Sequence, residues 1–198
     1  ECMIDSIVTR AKGFLLDPVA SFRQCRTDEP GTVFTYFIAL LLVNAVLSAL
    51  IAAIALPGGM MMYGGMSGGA ATPFMVFFLA LIGGFVMTLI LAAWVHLWVY
   101  LVGGRRGIMQ TIAAVIYGDT PGLLLGWIPL IGIIAGLWSL VLVILGIREL
   151  QDLSTGKAVL AVAIAVIIPL ILIVLAAAFF MISYSTMTPV PVPAGFAR

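Results

Sequence analysis

The sequence predicts an all-α integral membrane protein: a five-transmembrane-helix bundle with a cytoplasmic amphipathic N-terminal helix. Three observations carry that expectation. Five apolar runs, 33–56, 73–102, 108–126, 129–147 and 158–183, each reach the length of roughly 18 residues needed to cross a ~30 Å hydrocarbon core. The chain is 64% hydrophobic and 9% charged, where an ordinary soluble domain carries about 25% charged residues. No Lys, Arg, Asp or Glu lies between Val33 and Val102. Only a helix satisfies every backbone N–H and C=O inside one lipid-bound segment, so the runs are read as helices and most soluble enzymes are excluded.

Residues 1–2 are set aside, because Met3 reads as the natural start. Residues 3–30 form the cytoplasmic segment. Ile4, Ile7, Val8, Ala11, Phe14 and Leu15 recur at helical spacing, while Asp5, Thr9, Arg10 and Lys12 fall elsewhere on the wheel. Asp17-Pro18 marks a fresh helix start, with Asp as cap and Pro at the first helical position. This element is expected either to lie among lipid headgroups or to pack on the end of the bundle. No apolar stretch resembles a cleavable leader, so the first span is expected to act as the insertion signal. Cys25 has no internal partner once Cys2 is set aside, and is read as a free thiol rather than a lipidation site.

Residues 31–183 hold the five spans. Between the first two lies loop 57–72, rich in Gly and Met. Met60, Met61, Met62 and Met66 are soft ligands of the kind copper(I) takes, but no His or Cys accompanies them, and no metal is expected. The second run, at ~1.5 Å per residue, covers ~45 Å and must tilt or project. The third and fourth are short and joined around Gly126-Trp127-Ile128-Pro129, which forces an antiparallel hairpin. The external tail, 184–198, carries PVPVP and is expected to be extended.

Charge sets the expected topology. Of nine Lys and Arg, Arg10, Lys12, Arg23 and Arg26 precede the first span. Arg105 and Arg106 lie between the second and third, Arg148 and Lys157 between the fourth and fifth, and Arg198 alone is in the tail. The bias places the N-terminus in the cytoplasm and the C-terminus outside, as an odd number of spans requires, and the expected location is the plasma membrane. Arg10, Lys12, Arg105 and Arg106 are read as a cytoplasmic basic face.

Small residues recur every four positions. Ala114, Gly118, Gly122 and Gly126 form one ridge, Gly132 and Gly136 another, and Ala80, Gly84, Thr88 and Ala92 a third. In lipid such ridges mark close helix contacts, within one chain or between copies. Polar residues inside the spans are few: Asn44, His96 and Asp119, the last flanked by Tyr117 and Thr120. Asp119 lies ~16 Å into its span. An ionisable group there costs roughly 3 kcal/mol by insertion scales and suggests function. The competing reading is structural, since Gly118-Asp119-Thr120-Pro121 also looks like a helix break with an Asp or Thr cap. His96 extends the third ridge and is expected to face protein. No nucleophile–base spacing, zinc motif, phosphate loop or nucleic-acid signature is present, so no enzyme activity, cofactor or nucleic-acid partner is expected.

From Ala113 onward the order of features resembles the Yip domain family of Rab-GTPase-interacting membrane proteins. The resemblance rests on Ala113–Tyr117, Pro121–Leu125, the Trp127-Ile128-Pro129 turn, Trp138, Gly146–Glu149 and Leu153–Ala158. Asp17-Pro18 and Phe22 extend it toward the N-terminus. The resemblance implies five spans and a cytoplasmic N-terminus. The chain departs from eukaryotic members in lacking a long N-terminal domain and the DLYGP motif, and its short loops look prokaryotic, so a small GTPase partner is not expected. The expected function is non-enzymatic organisation or binding of other membrane proteins or lipids, with a homodimer among the partners weighed. The alternative is a small ion or solute channel or transporter using Asp119 and Asn44.

Overall fold

A computed structural model describes residues 3–54, 72–128 and 130–187. The methionines of the glycine-rich loop and the proline-rich tail lie outside the described residues. The chain forms two compact units, residues 1–162 and 163–198.

In the first unit, α1 (Met3–Leu16) and α2 (Pro18–Gln24) form a helical pair. Asp17 caps α2 by accepting a hydrogen bond from Ala20 N at 3.3 Å, with Pro18 at the first helical position. Ala11 and Phe14 of α1 are buried, while Lys12 and Leu16 face outward. Phe14 stacks on Tyr117 at 4.7 Å between centroids and tilts against Phe22 at 4.9 Å. Aromatic pairs of this kind contribute roughly 0.5–1.5 kcal/mol each beyond their buried area. Phe22 fills the space left by Gly146, where a Cβ would lie 2.7 Å from its ring.

A 3₁₀ turn (Cys25–Thr27) leads to α3 (Pro30–Ile54). Glu29 O accepts from Thr32 N and Val33 N and opens that helix, and the fixed φ of Pro30 suits its first position. The second span runs Thr72–Leu101, as α4 (Thr72–Phe78), a π-helical segment (Leu79–Gly83) and α5 (Gly84–Leu101). The third is α6 (Ile108–Gly118) and α7 (Thr120–Leu125), and the fourth is α8 (Ile131–Leu150). With α9 (Thr155–Met187), five helical stretches among the described residues are long and apolar enough to cross a membrane. No strand occurs among the described residues.

The core sits around α6, where Thr111 and Ala113–Gly118 are all buried. It packs against α8 with almost no side chain between the two backbones. A Cβ on Gly118 would stand 2.8 Å from Val143 N, and one on Gly146 would stand 3.2 Å from Ala114 Cα. Close backbone approach supplies the dispersion contacts that replace hydrophobic drive in lipid. The first turns of α9 join this unit through Ala158, Ala161 and Val162. In the second unit, α9 continues with Pro169 inside it and Leu170–Leu175 and Phe179–Ile182 exposed.

Candidate functional site

The third span is built around a break. Pro121 has no N–H to give to Tyr117 O. The Thr120 hydroxyl donates to that carbonyl instead, at 2.7 Å. Its proton is thereby committed, so the Tyr36 hydroxyl is the donor in the 2.9 Å bond to Thr120 Oγ1. Asp119 occupies the turn (φ −85°, ψ 10°), but its side chain makes no capping bond; Thr120 does the backbone repair that Asp or Thr was expected to share. The Asp119 carboxylate and the Ser139 hydroxyl of α8 converge over Gly122, and the Ser139 oxygen accepts from Gly122 N at 3.0 Å. The carboxylate lies back over Gly122, where any Cβ would collide with it. At the far end of α7, Asn44 Nδ2 donates to Leu123 O at 2.9 Å and Trp127 Nε1 to Leu124 O at 2.7 Å. Side chains thus satisfy carbonyls that the helix end leaves open.

Beside this break is a cavity of about 530 Å³. Asn44, Ser48, Thr88 and Asp119 supply its polar lining, and Gly84 and Trp127 shape its wall. Met87 and Leu91 also line it and are 62% and 51% exposed, so the cavity opens sideways, toward the lipid-facing surface of the second span. The π segment lies at its edge through Ala80. Single π turns inside α-helices are frequent at functional sites.

Tyr117 does not join Asp119. Its hydroxyl donates to Asp28 Oδ2 at 2.6 Å, and Arg10 bonds the same carboxylate, the Tyr117 hydroxyl at 3.3 Å and Cys25 Sγ at 3.3 Å. Burial works to raise the Asp28 pKa, but the hydrogen bonds from Arg10 and Tyr117 prevail and hold it below the usual carboxylate value. The Asp28 hydrogen bond raises Arg10, and burial pushes the Cys25 thiol up to about 12. This cluster ties α1 and the 3₁₀ turn to α6. Asp28 carried no signal in the sequence, since its partners lie 18 and 89 positions away.

His96 forms a third, separate group. Its Nδ1 pairs with Thr111 Oγ1 at 2.8 Å, and Gln151 Nε2 donates to Thr111 Oγ1 and to Gly107 O. The four basic residues have different neighbours. Arg10 pairs with Asp28 and Arg106 with Asp152. Arg105 donates to Tyr100 O at 3.0 Å and lies 3.7 Å over that ring, while Lys12 borders a groove beside α1. Among the glycines, Gly118 and Gly84 make close contacts, the latter toward Leu41, and Gly132 approaches Gly126 O. A Cβ on Gly126 itself would meet Gly122 O. Gly136 faces open space. Ala114 is fully buried against Gly146. Among the described residues no three His, Cys, Asp or Glu side chains group as a metal site would need.

The fold and these side-chain groups define a polytopic helical membrane protein. The family model for the Yip1 domain matches residues 12–190, nearly the whole chain, and the chain belongs to that family. No curated protein and no solved structure matches.

Proposed function

We propose that this Yip1-domain chain is a non-catalytic organiser that binds other membrane proteins or lipids within the bilayer. The observation that carries this reading is the sideways-opening cavity under Asp119. It opens beside the exposed Met87 and Leu91, and one of its polar residues, Asn44, holds the end of the broken third span through Leu123 O. A component arriving laterally in the membrane can enter past Met87 and Leu91 and meet hydrogen-bonding groups at a depth where lipid offers none. In this reading the chain lies in the plasma membrane with its N-terminus cytoplasmic and its C-terminus outside, as the charge asymmetry supports.

The test has two arms. Purified protein in proteoliposomes is expected to pass no ions above empty liposomes; flux that disappears in Asp119→Asn would make the chain a transporter instead. A photo-crosslinking residue at Met87 is expected to capture membrane lipid or protein, and Thr88→Phe, which fills the cavity, is expected to abolish capture. Unchanged capture in Thr88→Phe would remove the cavity from the proposal.

A further inference from the structure

A second recess lies between α1 and α3, away from the Asp119 cavity. It has two compartments on successive turns of α3. The first, about 370 Å³, is polar: Arg10 and Ser6 of α1 face Glu29, Thr32 and Thr35. The second, about 500 Å³, is mostly apolar: Ala11 and Leu15 of α1 face Ala39, Leu40 and Val43, with Lys12 at its border. Ile7 borders both, so α1 forms one wall along the whole length.

Gly31, Thr35, Ala39 and Val43 recur at four-residue spacing, which places them on one face of α3. That face is polar at the start of the helix and apolar beyond Thr35. From Thr32 to Val43 the helix rises ~16 Å, about half of a ~30 Å hydrocarbon core. The recess therefore has the length of one leaflet, with its polar compartment where the helix begins and its apolar compartment at acyl-chain depth.

Charge narrows the occupant. Arg10 brings a guanidinium that is ion-paired to Asp28 and also bonds Tyr117 and Cys25 through Nη1, which leaves its remaining N–H groups as donors. Glu29 lines the same compartment and forms no ion pair among the described residues. A compartment holding a cation, a carboxylate without an ion pair and several hydroxyls complements a zwitterion rather than a simple anion. We propose that the recess holds one phospholipid of the adjoining leaflet whose headgroup carries a primary ammonium. Its phosphate faces Arg10 and the threonine hydroxyls, its ammonium faces Glu29, and one acyl chain lies along Ala39 and Val43. This goes beyond the reading of the Asp119 cavity, and either can fail alone.

The experiment is native mass spectrometry of the full chain released from nanodiscs of phosphatidylethanolamine, phosphatidylcholine and phosphatidylglycerol in equal amounts. The parent is expected to retain one phosphatidylethanolamine in preference to the other two. Glu29→Gln is expected to reduce that preference by about tenfold, the order of one charge-assisted hydrogen bond. Ala39→Trp is expected to abolish retention, with Thr35→Leu, which leaves the apolar compartment open, weakening it less. The same measurements are made in a Thr88→Phe background, where the other cavity is filled and a retained lipid belongs to this recess. No retained lipid in the parent, equal retention of all three lipids, preference for phosphatidylglycerol, or retention unaffected by Ala39→Trp would each overturn the proposal.

Discussion

Tyr117 and Asp119 are two residues apart in the sequence, yet they serve different neighbours, because residues at that spacing do not share a helix face. The sequence reading grouped them as flanking polar residues of one span. In the structure Tyr117 belongs to Asp28 and Arg10, while Asp119 lies over Gly122 beside Ser139. The same limit applies to glycine. The four-residue ridges were legible, but which glycine meets a backbone and which meets open space was not, since that depends on the neighbouring helix. Gly118 and Gly136 separate the two cases. Gly118→Ala forces a methyl against Val143 N and Cα and is expected to destabilise the protein by about 1–3 kcal/mol. Gly136→Ala, with nothing within 4 Å, is expected to leave stability unchanged. Thermal unfolding in detergent, read on both variants beside the parent, checks the pair.

At the scale of elements, the Asp17-Pro18 break and the interruption at Pro121 could be read directly, because proline and its cap act locally. The π segment at Leu79–Gly83 could not. Its residues are apolar on every side, so an extra residue per turn leaves no mark on the hydropathy pattern. The clamp between α1 and α6 was equally silent, being made across long sequence separations. It has a pH signature whose sign follows from Asp28. The folded-state pKa of Asp28 lies below its ordinary value of 3.8. Its contribution is therefore complete above about pH 4 and declines as pH falls through the lower folded value. Proteolysis within residues 3–28 is expected to accelerate when pH is lowered through that window, using a protease active in acid. In Asp28→Asn, cleavage is expected to be faster at neutral pH and nearly flat with pH. A parent profile as flat as the variant's would show that the carboxylate does not hold the clamp.

Across the whole molecule, the number of spans was legible because lipid leaves so few solutions to backbone hydrogen bonding. The depth of the cavity was not, because it is enclosed by α3, α5 and α7 together, and no single segment carries its outline. The polar side chains of the first span show how far that interdependence extends. Tyr36 and Asn44 bond to Thr120 and Leu123, 84 and 79 residues later in the chain. During synthesis the first span must therefore enter the bilayer with an amide and a phenol whose partners have not yet been made. Until the third span emerges, those polar groups lack their final partners at a depth where lipid offers none, and the nascent protein is expected to be a client of insertion chaperones and quality-control proteases. A chain ending at Val102 is expected to be cleared faster in a pulse-chase experiment than one ending at Leu150. Asn44→Leu is expected to lengthen the life of the short form while weakening the complete one. The side chain that closes the finished bundle is thus expected, for the interval before its partner arrives, to mark the incomplete one for degradation.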